Sequence, residues 1–236
     1  MKLYANMMVL NERQFFPYVV ERLQAFCDHV VIMDNGSTDG SREWLEQCGV
    51  DVDVIFNQQA DLPHYGNLRN IMLAQVPVGA WVLKWDPDEL PSDKMVSHLR
   101  DMLEDSQGRC NGWKVPLYHI FKERGTCLPI DFETFHLRLF RKTTETTWQG
   151  RIHEQPTVPK PRNRVPVATG IAIVHFSYFA EARLRRKALH YAAISGSGFH
   201  DPKRLTDRLN LTPIPLPKQA AYQAPDSWIE MIRGIE

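Results

Sequence analysis

Residues 81–89, with the sequence WVLKWDPDE, combine a short apolar run with three carboxylates that follow it directly. A mostly apolar run of this length predicts a buried strand of a parallel sheet that is covered on both faces. Ligands of open α/β sheets bind just outside the carboxyl ends of such strands, where carboxylates suit a hard cation such as Mg²⁺ or Mn²⁺. The alternative is an ordinary acidic turn, because the D-x-D pattern is short and common.

The composition is that of an ordinary globular protein. The 236 residues are 43% hydrophobic and 24% charged, and 28 basic residues balance 28 acidic ones, so nothing favours a nucleic-acid partner. The four cysteines are widely spaced and form no C-x-x-C, which predicts reduced thiols in a cytoplasmic protein. We expect no signal peptide and no transmembrane segment, since no apolar run approaches the ~18 residues of a spanning helix.

Strands alternate with helices in the first half of the chain. The patterns predict strands over 3–10, 29–33, 52–56 and 81–85, and helices over 13–26, 41–48, 67–75 and 93–105, with Asn11 as the first N-cap. This alternation predicts βαβ units and a mainly parallel sheet. Right-handed crossovers would then bring Asn11-Glu12, the turn 34–39 and the turn 86–89 to one edge, as an acidic, polar cleft.

The pattern changes near residue 110. Strands are predicted over 112–121, 135–141, 144–148 and 171–176, followed by a helix over 180–194 and a proline-rich tail from 210. This half should form a less regular, more antiparallel layer. We therefore divide the chain into a domain of residues 1–200, with halves 1–109 and 110–200, and a C-terminal extension, 201–236.

Seven short segments together resemble glycosyltransferase family 2 with the GT-A fold, over roughly residues 2–192. They are V-L-N-E at 9–12, the turn 34–40, R-N at 69–70, the segment 81–89, L-R-L-F-R at 137–141, H-E at 153–154 and the histidine at 175. This version looks most like bacterial enzymes that add sugars to lipopolysaccharide core. The resemblance implies an α/β fold related to the Rossmann fold, in which helices flank a mixed but mainly parallel sheet. It also implies a nucleotide-sugar-binding half (1–109) and an acceptor half (110–200).

The resemblance also implies a divalent cation, Mn²⁺ or Mg²⁺, that acts as a Lewis acid on the leaving diphosphate. Asp88 matches the residue that ligates this metal directly. Asp86 is expected near the donor ribose or the metal, and His175 matches a position that often supplies another ligand. The alternative for His175 is a histidine whose hydrogen bonds are satisfied in the core.

Four further residues match donor-binding positions of the family. Asp34 resembles the acid that hydrogen-bonds the nucleobase, typically uracil, although it could be an ordinary turn residue. Asn11 and Glu12 lie where the family contacts the nucleoside, and a capping role is compatible with that. Arg69 resembles a residue that lies against the donor, and the alternative is a solvated arginine on a helix.

An inverting transfer needs a base that takes the proton of the acceptor hydroxyl. Glu154 is the first candidate, and Asp131 and Glu133 are rivals because their loop falls in the acceptor half. His153 could orient Glu154 or join the metal shell. The arginines of segment 137–141 could meet an anionic acceptor or the diphosphate, or could pair with surface acids.

The sequence therefore predicts a metal-dependent, inverting glycosyltransferase that uses a nucleotide-sugar donor, with UDP favoured, and a glycan or lipid-linked envelope acceptor. We expect it in the cytoplasm or peripherally at the inner face of the membrane. One alternative is a sugar nucleotidyltransferase, which usually has a glycine-rich basic loop that Asn11-Glu12-Arg13 does not provide. The other is a non-catalytic glycan-binding module that keeps only the fold.

Overall fold

The computed structural model describes residues 1–48, 52–57, 64–105, 110–121, 123–127, 135–158, 165–178, 189, 212 and 214–224. The helices are α1 (Phe16–Gln24), α2 (Ser41–Gln47), α3 (Tyr65–Ala74) and α4 (Asp93–Asp105), and a short 3₁₀ helix covers Lys218–Ala220. None of the described helices has both the length and the apolar character needed to cross a membrane.

Twelve strands are found in the described residues, and ten of them form one sheet. They are β1 (Leu3–Val9), β2 (His29–Asp34), β3 (Asp53–Phe56), β4 (Trp81–Trp85), β5 (Glu89–Pro91), β6 (Gly112–Phe121), β7 (Glu123–Cys127), β8 (Phe135–Arg141), β9 (Thr147–Gln149), β10 (Gln155–Thr157), β11 (Ile173–Tyr178) and β12 (Ile214–Pro215).

The sheet is parallel in its first half and mostly antiparallel in its second, as predicted. Strands β3, β2, β1 and β4 lie side by side in that order and run parallel. Beyond β4, the strands β8, β6, β7 and β12 follow, each antiparallel to its neighbour. Strand β11 runs parallel to β6 and antiparallel to β5. The small β9–β10 hairpin lies outside this sheet.

Both faces of β1, β2 and β4 are largely buried, which explains their nearly continuous apolar sequences. On β1, Ala5 and Met7 belong to the apolar cluster that includes α1 and α4, whereas Tyr4 belongs to the cluster that includes α3. Lys84 interrupts the apolar run of β4 and is only partly buried. This polar interruption marks the point where the core meets the candidate site.

The expectation that Asn11 caps the first helix is wrong. Helix α1 begins at Phe16, and its N-cap, Phe15, makes no side-chain capping bond. The backbone N–H groups of Phe15 and Phe16 both donate to the carbonyl of Glu12. Asn11 has a left-handed backbone with φ of 55°, and its side chain instead accepts from the N–H of Thr38. The chain therefore needs a tight turn before the helix can start.

Part of the predicted C-terminal extension packs against the rest of the protein. Strand β12 pairs with β7, and the N–H of Asp93 at the start of α4 donates to the carbonyl of Ala221. The ring of Tyr222 lies edge-on against Phe176, with 5.5 Å between centroids. The helix predicted over 180–194 lies outside the described residues, apart from residue 189. The division at residue 200 stays a prediction.

Candidate active site at the carboxyl ends of the parallel strands

The loops that follow β1 and β2 are bonded to each other, so the predicted convergence is confirmed there. The N–H of Thr38 donates to Asn11 Oδ1 at 2.7 Å, and the N–H of Asn11 donates to Ser37 Oγ at 2.9 Å. The N–H of Arg13 donates to Asp39 Oδ2 at 2.9 Å. Three hydrogen bonds therefore hold these loops at one edge of the sheet.

Asp34 ends β2 and turns the chain at this edge. Its Oδ1 accepts from the N–H groups of Gly36 at 3.1 Å and Ser37 at 3.0 Å. Its Oδ2 is buried and has no hydrogen-bond partner among the described residues. A buried acceptor without a donor is costly, so such atoms are often completed by a ligand or by water.

Asp88 and His175 meet although 87 positions separate them. Strand β11 pairs with β5, and the N–H of Phe176 donates to the carbonyl of Asp88 at 3.0 Å. This pairing places His175 Nε2 at 3.1 Å from Asp88 Oδ2, in a carboxylate that is only 1% exposed. One carboxylate oxygen and one imidazole nitrogen form a donor set that fits Mn²⁺, which accepts both ligand types.

The pair would need further ligands to hold a cation. In the part of the chain that the structure describes, no group of three or more His, Cys, Asp or Glu side chains is arranged to bind a metal. Water and oxygen atoms of a bound molecule would complete the coordination. This is the usual situation when carboxylates bind a cation together with a phosphate-bearing ligand.

His119 extends this pair, and the sequence analysis missed it. His119 lies on β6 as the register partner of His175 on β11. The Nδ1 atoms of the two rings are 2.9 Å apart, and the ring centroids are 4.9 Å apart. The alternating pattern of β6 gives the face of His119, but only the pairing of β6 with β11 shows what that face meets.

Asp86 is held between two arginines. Arg69 Nη2 donates to Oδ1 at 2.9 Å and Arg138 Nη1 donates to Oδ2 at 3.1 Å. Burial by itself would raise the pKa of Asp86, but Arg138, Lys84 and Arg69 together hold that pKa well below its usual range. The carboxylate is therefore ionised at neutral pH. Its predicted contact with the donor or the metal stays a prediction.

Glu89 braces the turn that carries the aspartates. It is fully buried, and its carboxylate accepts from Arg138 Nη2 and, at 3.0 Å, from the N–H of Asp86. Burial raises the pKa of Glu89 to about 7 although Arg138 opposes that rise. Among the described residues, Arg138 thus pairs with the buried Glu89 and the partly exposed Asp86 of the turn.

Arg69, Lys84 and Glu154 form a second buried ion-pair group. Arg69 is 1% exposed, which excludes the solvated-arginine interpretation. Its Nε donates to Glu154 Oε1 at 3.2 Å and its Nη1 to the carbonyl of Asn6 at 2.9 Å. Lys84 Nζ lies 2.8 Å from the same Glu154 oxygen. Lys84 was not predicted as a site residue, although its charge within an apolar strand was a signal.

These two cations determine the ionisation of Glu154. Burial would raise the pKa of Glu154, but Lys84 and Arg69 lower it to about 2. The carboxylate is therefore fully ionised at neutral pH, and it is a weak proton acceptor in this arrangement. The cleft was expected to be acidic. In the structure, Arg69, Lys84 and Arg138 form ion pairs with its acidic side chains, so the site contains charges of both signs.

A close backbone approach places Glu154 in this group. The N–H of Gly66 in α3 donates to the carbonyl of Gly150 at 3.1 Å, and the N–H of Tyr65 donates to the carbonyl of Arg151 at 2.9 Å. A Cβ atom at position 66 would lie 2.6 Å from the Gly150 oxygen. Only glycine permits this approach between the start of α3 and the turn that precedes Glu154.

The remaining predicted residues are Asp131, Glu133, His153 and Glu12. Asp131 and Glu133 lie outside the described residues, so the structure gives no account of them. His153 is exposed and has a left-handed backbone with φ of 53°. Glu12 is buried in the loop that follows β1. The roles predicted for these residues stay predictions.

Residues 6–183 match the family model of glycosyl transferase family 2, so the chain belongs to that family and is a glycosyltransferase. The fold is accordingly of the GT-A type. No curated protein matches the chain.

Solved structures of S. aureus TarS share this fold. TarS 1–349 is 15% identical, with a TM-score of 0.54 over 89% of this chain and 71% of that one. The same TarS fragment in complex with UDP is 14% identical, with a TM-score of 0.54 and the same coverage. Its complex with UDP-GlcNAc is 13% identical, with a TM-score of 0.51 over 89% of this chain and 72% of that one. At these identities the likeness concerns the fold alone.

Proposed function

We propose that the protein is a metal-dependent, inverting glycosyltransferase that transfers a sugar from a UDP-sugar to a glycan or lipid-linked acceptor of the cell envelope. The observation that carries this proposal is the approach of Asp88 and His175 to 3.1 Å at the carboxyl ends of the parallel strands. A carboxylate and a histidine so placed suit a cation that also binds the diphosphate of a donor. The choice of an inverting reaction follows the family resemblance.

The donor site is assigned to the neighbouring edge of the sheet. Asp34 Oδ2 is a buried acceptor without a partner among the described residues, and a nucleobase N–H would supply the missing donor. Uracil offers one such N–H group beside its carbonyls. The fold neighbour TarS has been solved with UDP and with UDP-GlcNAc, which supports a uridine nucleotide as the first ligand to test.

Asp88 and His175 would hold the cation, and Asp86 would lie beside it. A bound Mn²⁺ or Mg²⁺ would act as a Lewis acid that stabilises negative charge on the leaving diphosphate. Arg69 and Arg138 fix the carboxylate of Asp86 from two sides, and Glu89 holds the backbone of the same turn. These residues thus set the position of the acidic turn before any ligand binds, which is the preorganisation that charge stabilisation requires.

In the proposed reaction, the acceptor hydroxyl oxygen bonds to the anomeric carbon as the bond from that carbon to the diphosphate oxygen breaks. The hydroxyl proton passes to a carboxylate, for which Glu154 is our first candidate and Asp131 the second. A carboxylate with a pKa of about 2 is a weak base. It would take the hydroxyl proton late in the reaction, after bonding to the anomeric carbon has made that proton strongly acidic. That timing suits a transition state with oxocarbenium character.

The acceptor is assigned to the half of the chain that follows residue 110, because Glu154 and the arginines of β8 come from it. An acceptor attached to a lipid would place the reaction at the cytoplasmic face of the membrane, with the enzyme bound peripherally. The sugar and the linkage are left open by this proposal.

Binding of UDP with and without Mn²⁺ tests the proposal in the wild type and in Asp88→Ala. We expect the wild type to gain thermal stability from UDP only when Mn²⁺ is present. At a ligand concentration of about one hundred times Kd, the gain is about 2.7 kcal/mol. Asp88→Ala should remain folded and lose this gain, because the cation loses its carboxylate ligand.

Asp53→Ala is the matched control, since Asp53 is exposed at the amino end of β3, whereas Asp88 follows the carboxyl end of β4. It should respond to UDP and Mn²⁺ as the wild type does. A metal-dependent gain that survives in Asp88→Ala would refute the metal assignment. A wild type that responds to no nucleotide would favour the non-catalytic glycan-binding alternative.

A further inference from the structure

Three ionisable residues lie side by side on neighbouring strands, and the first of them belongs to the acidic turn. Glu89 on β5, His175 on β11 and His119 on β6 are register partners. His175 lies in the middle, and each of its ring nitrogens faces a partner. Nε2 lies 3.1 Å from Asp88 Oδ2, and Nδ1 lies 2.9 Å from His119 Nδ1. His119 has no role in the reaction described above.

The hydrogen bonds that join Asp88, His175 and His119 are limited by the number of hydrogens on the two imidazole rings. A neutral imidazole carries one hydrogen, so one of its nitrogens donates and the other accepts. With no cation present, a hydrogen on His175 Nε2 is placed to donate to Asp88 Oδ2 at 3.1 Å. His175 Nδ1 then accepts, and the 2.9 Å contact requires the hydrogen of His119 to lie on its Nδ1.

A cation held by His175 would reverse this arrangement. Binding through the Nε2 lone pair would leave the hydrogen of His175 on Nδ1. His175 Nδ1–H then needs an acceptor, and the group at 2.9 Å is His119 Nδ1. His119 can accept only if its own hydrogen lies on Nε2. Both rings therefore change tautomer together when the metal binds.

We propose that His119 is a positioning residue for the cation site, which accepts the hydrogen of His175 Nδ1 and so holds His175 with its Nε2 lone pair towards the metal. This inference rests on the proposed function, because it presupposes a cation at Asp88 and His175. Such an acceptor orients the ligating ring and makes its other nitrogen more basic. A residue that only filled space beside His175 would do neither.

Mn²⁺ affinity in the presence of UDP tests the inference in two variants. Electron paramagnetic resonance of free Mn²⁺ gives Kd without any measurement of activity. His119→Leu replaces the imidazole by an apolar side chain of similar bulk that has no hydrogen-bond acceptor. We expect Mn²⁺ binding to weaken about 10- to 100-fold in this variant. His119→Asn places Oδ1 near the position of Nδ1, and should keep the affinity within about threefold of the wild type, since the acceptor is restored. His98→Leu, on the exposed face of α4, is the control.

The tautomer of His175 gives a second readout that a packing role would not change. Long-range ¹H–¹⁵N spectra of histidine-labelled wild type distinguish Nδ1–H from Nε2–H. We expect the resonances of His175 and His119 to exchange tautomers together when UDP and diamagnetic Mg²⁺ are added. This measurement still decides the question if His119→Leu fails to fold.

The outcomes separate the two proposals. If the wild type binds no Mn²⁺ in the presence of UDP, the proposed function fails and this inference fails with it. If the wild type binds Mn²⁺ but His119→Leu binds it equally well, only the inference is overturned. Metal binding that leaves the His119 tautomer unchanged would overturn it as well.

Discussion

At the scale of single residues, the site depends on charges that compensate one another. Glu154 Oε1 contacts Lys84 at 2.8 Å and Arg69 at 3.2 Å, and all three side chains are mostly buried. Loss of one member would leave buried charge without its partner, which is strongly destabilising. The low pKa of Glu154 is the measurable result of this arrangement. The same ion pairs make Glu154 hard to protonate and fix its position.

The stability of Glu154→Gln relative to the wild type should depend on pH in a defined direction. The pKa of Glu154 is about 2 in the folded protein and near 4.5 when the group is unperturbed. A lowered pKa stabilises the fold above pH 4.5, and this contribution is lost as the pH falls towards 2. We therefore expect the wild type to be more stable than the variant at pH 7 and the difference to shrink below pH 4.5.

Urea unfolding of both proteins at pH 7, 5, 4 and 3 measures this difference. Asp28 and Asp39 also have lowered pKa values, but they are present in both proteins and cancel in the comparison. A difference in free energy of unfolding that stays constant over this range would show that Glu154 titrates alike in the folded and unfolded states.

At the scale of elements, one close contact joins the part of the chain before residue 110 to the part after it. Helix α3 brings Arg69 to the site, and the turn after β9 brings Glu154. Two backbone hydrogen bonds join the start of α3 to that turn, at Gly66 and Tyr65. The ion pair between Arg69 and Glu154 can form only because Gly66 lets the two backbones approach this closely.

Gly66→Ala should therefore destabilise the protein in spite of the usual preference of helices for alanine. The added Cβ would lie 2.6 Å from the carbonyl oxygen of Gly150, so the turn or the helix must shift. We expect a loss of about 1–3 kcal/mol in the free energy of unfolding, measured with urea. Asn67→Ala changes the next residue, which is exposed on the same helix.

The control isolates the effect of the close contact from helix propensity. Asn67→Ala should lie within about 0.5 kcal/mol of the wild type or be slightly more stable. If Gly66→Ala proved as stable as Asn67→Ala, the approach of α3 to the turn at Gly150 would be looser than the structure indicates.

At the scale of the whole molecule, residues 214–224 connect the C-terminal region to the site. Ala220 is fully buried, and Tyr222 packs on Phe176, the residue that follows His175. The hydroxyl of Tyr18 in α1 donates to the carbonyl of Gln223 at 3.3 Å. These contacts reach α1, α4 and β11, so this segment belongs to the folded unit that supports the strand carrying His175.

Paired substitutions at adjacent alanines test this conclusion. Ala220→Asp would place a charge in the core and should lower the free energy of unfolding by at least about 2 kcal/mol. Ala221→Asp alters an exposed neighbour and should change it by about 0.5 kcal/mol or less. Thermal unfolding of both variants measures the contrast. Equal stability of the two variants would mean that the segment does not pack on the domain in solution.

Much of the fold was predictable because strong local patterns specify it. The strands at 81–85, 112–121 and 135–141 were predicted with the bounds that the structure has, since each has a clear hydrophobic pattern. Strands β5 and β10 were missed because three residues are too few to show any periodicity. The start of α1 was placed too early because the turn after Glu12 is formed by backbone bonds and not by a capping side chain.

The sequence by itself determined the parallel sheet, the family and the acidic turn at 86–89, because these depend on local patterns and on the order of segments along the chain. Only the tertiary structure decided which side chains meet. Lys84 and Arg69 reach Glu154, and His119 reaches His175, through strand pairings and a close helix contact. Those contacts join residues that are tens of positions apart, so the register of the sheet, which no local pattern encodes, sets the charge and the hydrogen bonding of the site.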